Sequence, residues 1–259
     1  MSQNSWTIAF GRWCFRYRNA AFPVIFVLTA LVMRPRLIGG RSDIDHALVV
    51  AGMVIALLGE SVRLLTIGLE YIERGGKNKE VAASQLVQGG IYAHTRNPMY
   101  LGNLLIATGM SVVTGAPAAY VVLIPLFLFV YHAIMSTEEA FLHQKFGADY
   151  VAYCRRVPRL WPSLRGLGRT IRGMDYHWRR AIRKDLSTIT GLLLGMIVFS
   201  VWRSYFLQGA QAAKARIPEA AILAGIVLAA YVTLHTLKKH RIFFYVPTNI
   251  PRHQPGGLR

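Results

Sequence analysis

Apolar and polar positions fall along this chain in long blocks, not in short periods. Six apolar blocks stand out, at residues 19–33, 47–67, 101–114, 116–135, 186–207 and 219–237. A helix that crosses a bilayer needs about 20 apolar residues, within a range of about 17–25. The second, fourth, fifth and sixth blocks reach that length, and the first and third fall short. Thr114-Gly115-Ala116-Pro117 is a tight turn signal. It makes the third and fourth blocks a helical hairpin, with a partly re-entrant first arm as one form of it. The pattern predicts an all-α, polytopic integral membrane protein of about six spans.

Charge then orients the spans. Arg12, Arg16 and Arg18 precede the first block, and Arg74, Lys77, Lys79 and Arg96 follow the second. Ten arginines and lysines lie between residues 155 and 184, and Lys238, Lys239 and Arg241 follow the sixth block. The opposite loops carry only Arg34, Arg36 and Arg41, then Lys214 and Arg216. Basic loops stay cytoplasmic, so both termini are expected inside. The order of charge and apolar residues at the start is that of a signal peptide. No small-x-small cleavage pattern follows it, so an uncleaved anchor is expected.

Composition agrees with this class. Apolar residues make up 53% of the 259 residues and charged residues only 16%, against about 25% in soluble domains. The net charge of +18 lies beside apolar spans, which favours anionic lipid headgroups over nucleic acid as the partner. No protein partner is implied. Cys14 and Cys154 offer neither a disulfide framework nor a metal-ligand spacing, and no metal site is expected. The chain divides into a core at 1–162, a basic interfacial linker at 163–185, and two further spans with a basic tail at 186–259. The Ala-, Gly- and Arg-rich composition is in keeping with a bacterial inner membrane.

Two polar segments carry the candidate chemistry. In residues 90–102, Pro98 drives Asn97 out of the helical region and can open the next helix. Asn97 is then expected to cap it. Free amides at that helix start, with Arg96 beside them, favour an anionic group, and Tyr92 and Tyr100 offer aromatic faces to a ring or a cation. In residues 138–153, Glu138 and Glu139 are adjacent at the end of the fourth block. Helix neighbours point about 100° apart, so the two acids serve different atoms. Phe146-Gly147 ends that helix, and Tyr150 and Tyr153 follow at helical spacing. An out-and-back hairpin leaves both segments on one side of the bilayer, where they can close one pocket. Glu60 and Arg63 share a helix face inside the second block, which favours a self-neutralising structural pair. Gly191 and Gly195 form a small-xxx-small packing face.

Together the two segments resemble the membrane-embedded methyltransferases of the isoprenylcysteine carboxyl methyltransferase and phospholipid methyltransferase superfamily. The pattern G-x-Y-x-x-x-R-[H/N]-P-x-Y-x-G runs from Gly90 to Gly102. E-E-x-x-L-x-x-x-F-G-x-x-Y-x-x-Y, followed by V-P-R, runs from Glu138 to Arg159. The resemblance covers about residues 77–162 and implies S-adenosylmethionine as cofactor. It implies cofactor contacts at Tyr92, Asn97, Pro98, Met99, Tyr100 and Glu138, with backbone contacts from the strand-like Gln85, Leu86 and Val87. Arg96 would shape the pocket or meet an anionic group, and Glu139 would be the supporting acid. Two departures matter. Asn97 replaces a frequent His, which removes acid–base chemistry there. The turn before Glu138 reads Ala133-Ile134-Met135, without the Arg that engages substrate in the carboxyl methyltransferases. The expected activity is methyl transfer to a lipid or another membrane-partitioned small molecule, with phospholipid amine, prenylcysteine carboxylate and thiol all open as acceptors. The alternatives are a sterol-reductase-type enzyme using NADPH and a non-catalytic membrane scaffold or transporter.

Overall fold

The computed structural model describes residues 5–69 and 85–239. Arg74, Lys77, Lys79 and Arg241, used above for topology, lie outside the described residues. Among the described residues there are seven α-helices and no strand: α1 Ser5–Val32, α2 Ser42–Leu69, α3 Pro98–Val113, α4 Pro117–Arg156, α5 Leu167–Arg172, α6 Trp178–Gln208 and α7 Ala210–Lys239. The strand-like stretch expected at Gln85–Leu86–Val87 is irregular chain leading into a 3-10 turn at Gly90–Ala93.

Four of these helices, α2, α4, α6 and α7, are long and apolar enough to cross a membrane. α1 is bent by 84° between Trp6–Arg18 and Ala20–Val32. Its Pro23 crowds the carbonyl four residues earlier, which lies at that junction. α3 has 16 residues, about 24 Å at 1.5 Å per residue, short of the hydrocarbon thickness of about 30 Å. The six expected spans therefore resolve into four full-length helices, one bent helix and one short one. The α3–α4 turn is built as expected: Gly115 has φ 67, and Pro117 opens α4. The Thr114 hydroxyl accepts the Ala116 amide at 3.2 Å and donates to Ser111 O at 2.7 Å.

α2 and α3 meet along a glycine seam. A Cβ added to Gly59 would lie 2.6 Å from Gly102 O, and one added to Gly52 would lie 2.8 Å from Gly109 O. Residue 52 faces 109 and 59 faces 102, so the helices run antiparallel with their backbones in contact. The small-residue face expected at Gly191 and Gly195 is a lesser feature. Gly191 has open space around it, and Gly195 meets only the tip of Met110.

α6 is pinned to α2 at both ends by buried ion pairs. Arg63 grips Asp185 through Nε–Oδ2 at 3.0 Å and through a second bond from Nη2 to Oδ1. At the other end Arg203 pairs with Asp45. The pairs stand eighteen residues apart on each helix (45 to 63, and 185 to 203), about 27 Å of helix at 1.5 Å per residue. That separation matches the apolar thickness of a bilayer, and it puts one pair near each face. Glu60 is 3.6 Å from Arg63, so the pair read from local spacing exists, but the stronger partner of Arg63 lies on α6. The segment read as a basic interfacial linker contains α5 and the first turns of α6, where Arg180 donates to Ile67 O at 2.9 Å and to Gly68 O at 2.8 Å. Those are the last carbonyls of α2, which need partners.

The apolar core joins α1, α3 and α4 around Phe15, Tyr100, Leu104, Phe127, Tyr131 and Ile134. A second cluster sets Ala56, Met110 and Val113 against Leu192, Met196 and Phe199 of α6. α7 packs chiefly on α6, and no residue of its apolar window is buried, the expected state of a helix facing lipid.

Candidate active site

At 1.5 Å per residue, the first 20 residues of α4 cover about 30 Å, so its acid pair falls where the span ends. The antiparallel hairpin returns the start of α3 to the same end. The contacts follow: the Tyr100 hydroxyl of α3 donates to Glu138 Oε1 at 2.7 Å. Arg96 Nη1 lies 3.2 Å from Glu139 Oε1. The twin acids point to different partners, as their helical offset requires.

Glu139 is the hub of a cluster. Arg159 donates from Nε to Glu139 Oε1 at 3.1 Å, pairs with Oε2 at 3.0 Å, and donates to Ser136 Oγ at 2.9 Å. Its third nitrogen is 3.0 Å from His132 Nδ1. Two guanidiniums on one carboxylate leave the cluster with one net positive charge. Arg96 also reaches Cys154 Sγ at 2.8 Å. Burial is the largest single influence and works against the Arg96 charge, but Glu139, Cys154 and Tyr150 together outweigh it and raise the Arg96 pKa above its ordinary value. Arg96 is a fixed cation here.

The two segments are laced through their backbones. Arg96 N donates to Pro158 O at 2.9 Å, Ser163 N to His94 O at 2.9 Å, and Thr95 Oγ1 to Leu160 O at 2.9 Å. The Tyr153 hydroxyl donates to Tyr92 O at 2.8 Å. Asn97 occupies the N-cap position of α3, but its side chain makes no cap bond. Its amide instead donates to Arg159 O at 2.9 Å. The expected cap is thus replaced by a tie that fixes the strap carrying Arg159. Asn97 and Pro98 are buried, while Tyr92, Arg96, Met99, Glu138 and Glu139 are half-buried. Gln85 is exposed, and Leu86 packs beneath the Tyr150–Tyr153–Val157 cluster with Val87 half-buried beside it in the chain.

Several neighbours of the site were not singled out from the sequence as site residues. Arg159, within V-P-R, completes the clamp on Glu139. Ser136 and His132 stand three and seven residues before Glu139, on its helical face, so periodicity could have found them. Arg18 of α1 lies close enough to Glu138, Tyr100 and Tyr131 for its charge to act on all three. Tyr131 packs on Tyr100 with ring centroids 5.7 Å apart. Among the described residues no group of three or more His, Cys, Asp or Glu is arranged to hold a metal ion.

Chemically, this cluster combines a carboxylate, aromatic faces and a fixed cationic rim. A carboxylate has about four lone-pair sites, and Tyr100 uses one on Glu138. The remainder can take hydroxyl or ammonium donors.

Residues 47–149 match the family model for phospholipid methyltransferase. The chain is 34% identical over 155 residues to the cobalt-zinc-cadmium resistance protein CzcN of Cupriavidus metallidurans, covering 58% of this chain and 65% of that protein. It is 29% identical over 110 residues to protein-S-isoprenylcysteine O-methyltransferase B of Arabidopsis thaliana, covering 41% and 55%. It is 26% identical over 129 residues to the nickel-cobalt-cadmium resistance protein NccN of Alcaligenes xylosoxydans xylosoxydans, covering 49% and 58%. The chain thus spans between 55% and 65% of the length of these relatives. No solved structure matches it. Four of the helices are thus long and apolar enough to cross a membrane, and the segment holding most of α2, all of α3 and most of α4 matches the phospholipid methyltransferase family, with a further similarity to an isoprenylcysteine methyltransferase.

Proposed function

We propose that the protein transfers a methyl group from S-adenosylmethionine to a lipid or another membrane-partitioned small molecule. The observation that carries this is the convergence of Tyr100–Glu138 and Arg96–Glu139 at one end of the hairpin, within the matched family segment. Of the activities raised by the sequence, that family match favours methyl transfer.

The residues present fit the cofactor's chemistry. S-adenosylmethionine would bring an activated sulfonium methyl, which requires alignment more than activation. Glu138 would accept hydrogen bonds from ribose hydroxyls or an ammonium group. Tyr100 and Tyr92 would offer aromatic faces to the cationic centre. The Arg96–Glu139–Arg159 cluster would form the positive rim that orients the acceptor. Holding two reactants in line can contribute up to about 7–11 kcal/mol in ideal cases, so positioning is the main task of these side chains. Depth supports a membrane-partitioned acceptor: the acid pair stands where α4 leaves the hydrocarbon, within lateral reach of lipid. The water-soluble donor would enter from the aqueous side, expected to be the cytoplasm, with anionic headgroups at the basic rim.

The test is titration of S-adenosylhomocysteine into the purified, folded protein. Saturable binding is expected. Tyr100→Phe removes a hydrogen bond to a charged group, a class worth about 1.5–3 kcal/mol, and is expected to weaken binding about tenfold or more. Glu138→Ala is expected to weaken it further. A folded protein that binds nothing contradicts the assignment. Labelled methyl donor with a total lipid extract then identifies the acceptor.

A second, cellular reading is favoured by the two relatives named for resistance to cobalt, zinc, nickel and cadmium. Under it, methyl transfer serves metal tolerance, and loss of the chain lowers growth across a concentration series of those cations. Unchanged tolerance removes that context and leaves the chemistry standing.

A further inference from the structure

The two ion pairs that pin α6 to α2 differ in what lies beside them. The Asp45–Arg203 pair sits at the Gly115 end of the bundle, where Arg203 lies against the α3–α4 turn. The Arg63–Asp185 pair sits at the site end and continues inward. Arg63 Nη1 donates to Asn103 Oδ1 on α3, and Nη2 donates to Thr188 Oγ1 at 3.1 Å. Asn103 lies one turn after Tyr100 on α3, and the Arg63 chain packs on Gly102 between them. Tyr100 donates to Glu138. A series of contacts thus runs from α6 through α2 to the first turns of α3 and on to the acid of the site.

The chemistry of each link fixes the next. A guanidinium carries only donors, so Asn103 must turn its oxygen toward Arg63. Asp185 in turn decides where Arg63 sits, because a carboxylate held by two nitrogens of the guanidinium fixes its plane. The Asp185 side chain is fully buried and that of Arg63 is 6% exposed, so water does not compete for these bonds.

We propose that Asp185 is a positioning residue for the donor site. Through Arg63 and Asn103 it sets the first turns of α3, and thereby the Tyr100 side of the Tyr100–Glu138 wall. α6 lies outside the matched family segment, which ends at residue 149. In this account the last pair of helices completes the pocket and does more than anchor it. The inference rests on the donor-binding reading above.

The experiment compares Asp185→Asn with Asp45→Asn in the full-length protein, measuring both thermal unfolding and S-adenosylhomocysteine affinity. Each variant breaks a buried pair between the same two helices, so comparable losses of Tm are expected. Only Asp185→Asn is expected to weaken S-adenosylhomocysteine binding, by about five- to tenfold, the lower part of the usual range for coupling between sites. Asn103→Leu leaves the Arg63–Asp185 pair in place. It is expected to weaken binding to the same degree with a smaller loss of Tm, and it carries the test if Asp185→Asn does not fold. The double variant Asp185→Asn/Asn103→Leu is expected to bind no worse than the weaker single variant, since both changes cut one series. Equal effects on affinity from both ends of α6, no effect from Asn103→Leu, or full additivity in the double variant would overturn the relay while wild-type binding still upholds the donor site. A wild-type protein that folds but binds no S-adenosylhomocysteine removes both.

Discussion

Glu139→Ala is expected to lower methyl transfer by about a hundredfold, because it releases two guanidiniums that the carboxylate holds together. Arg96 reaches Glu139 at 3.2 Å from the α3 side, and Arg159 reaches it at 3.0 Å from the strap after α4. With the acid gone, two positive charges face each other across a site whose side chains are only 16% and 29% exposed. They can relieve this only by moving outward, and the strap moves with them, since Asn97 and Arg96 are tied to the backbone at Arg159 and Pro158. A displacement of about 1 Å in a positioning group can cost about a hundredfold in rate. Hydrogen bonds to charged groups contribute about 1.5–3 kcal/mol, and partial exposure of the arginines puts the stability loss at the low end of that range. Glu139→Gln separates the two effects. It keeps the shape and one acceptor oxygen, so it should retain more of the Tm than Glu139→Ala while still losing most activity. Rates and Tm measured on both variants in the same detergent decide this. If Glu139→Ala keeps wild-type turnover, the cluster is not part of the reacting site.

What the chain revealed in advance follows from the range of each interaction. The meeting of the two polar segments was legible because it depends on local features: a Thr-Gly-Ala-Pro turn and two apolar blocks of limited length. The separate duties of Glu138 and Glu139 were legible from helical geometry. The role of Asn97 was not. Its position before Pro98 matches a cap, but a carbonyl 62 residues away takes its amide. The true partner of Arg63 was hidden in the same way. Glu60 is three residues off, whereas Asp185 is 122 residues off, at the end of a stretch whose arginines read as a basic interfacial linker. Arg180 looked like one more loop charge, yet it closes the carbonyl end of α2. In each case a polar group inside an apolar surrounding had to be paired, and the sequence shows that need without showing the partner.

Gly59→Leu is expected to abolish folding altogether, and Gly191→Leu to leave it intact. Both are glycines within long apolar helices, and sequence spacing had favoured the second as the packing position. The difference lies in what faces them. A Cβ at residue 59 would stand 2.6 Å from Gly102 O and 2.7 Å from Ile106 N, both backbone atoms. Side chains can change rotamer to make room, but a helix backbone can only retreat. Retreat of α3 would separate Gly52 from Gly109 and pull Arg63 off Asn103, since all lie on one seam. Ordinary overpacking costs about 1–3 kcal/mol, and here the loss of the buried Arg63 bonds adds to it, against a total stability of about 5–15 kcal/mol. At residue 191 nothing stands within 4 Å, and leucine replaces a poor helix former with a good one, worth about 0.5–1 kcal/mol. Expression level and a monodisperse elution profile in detergent, followed by Tm, read the contrast. Equal folding of the two variants would show that α2 and α3 do not pack backbone to backbone. The start of α3, and with it the Tyr100 side of the pocket, would then need another support.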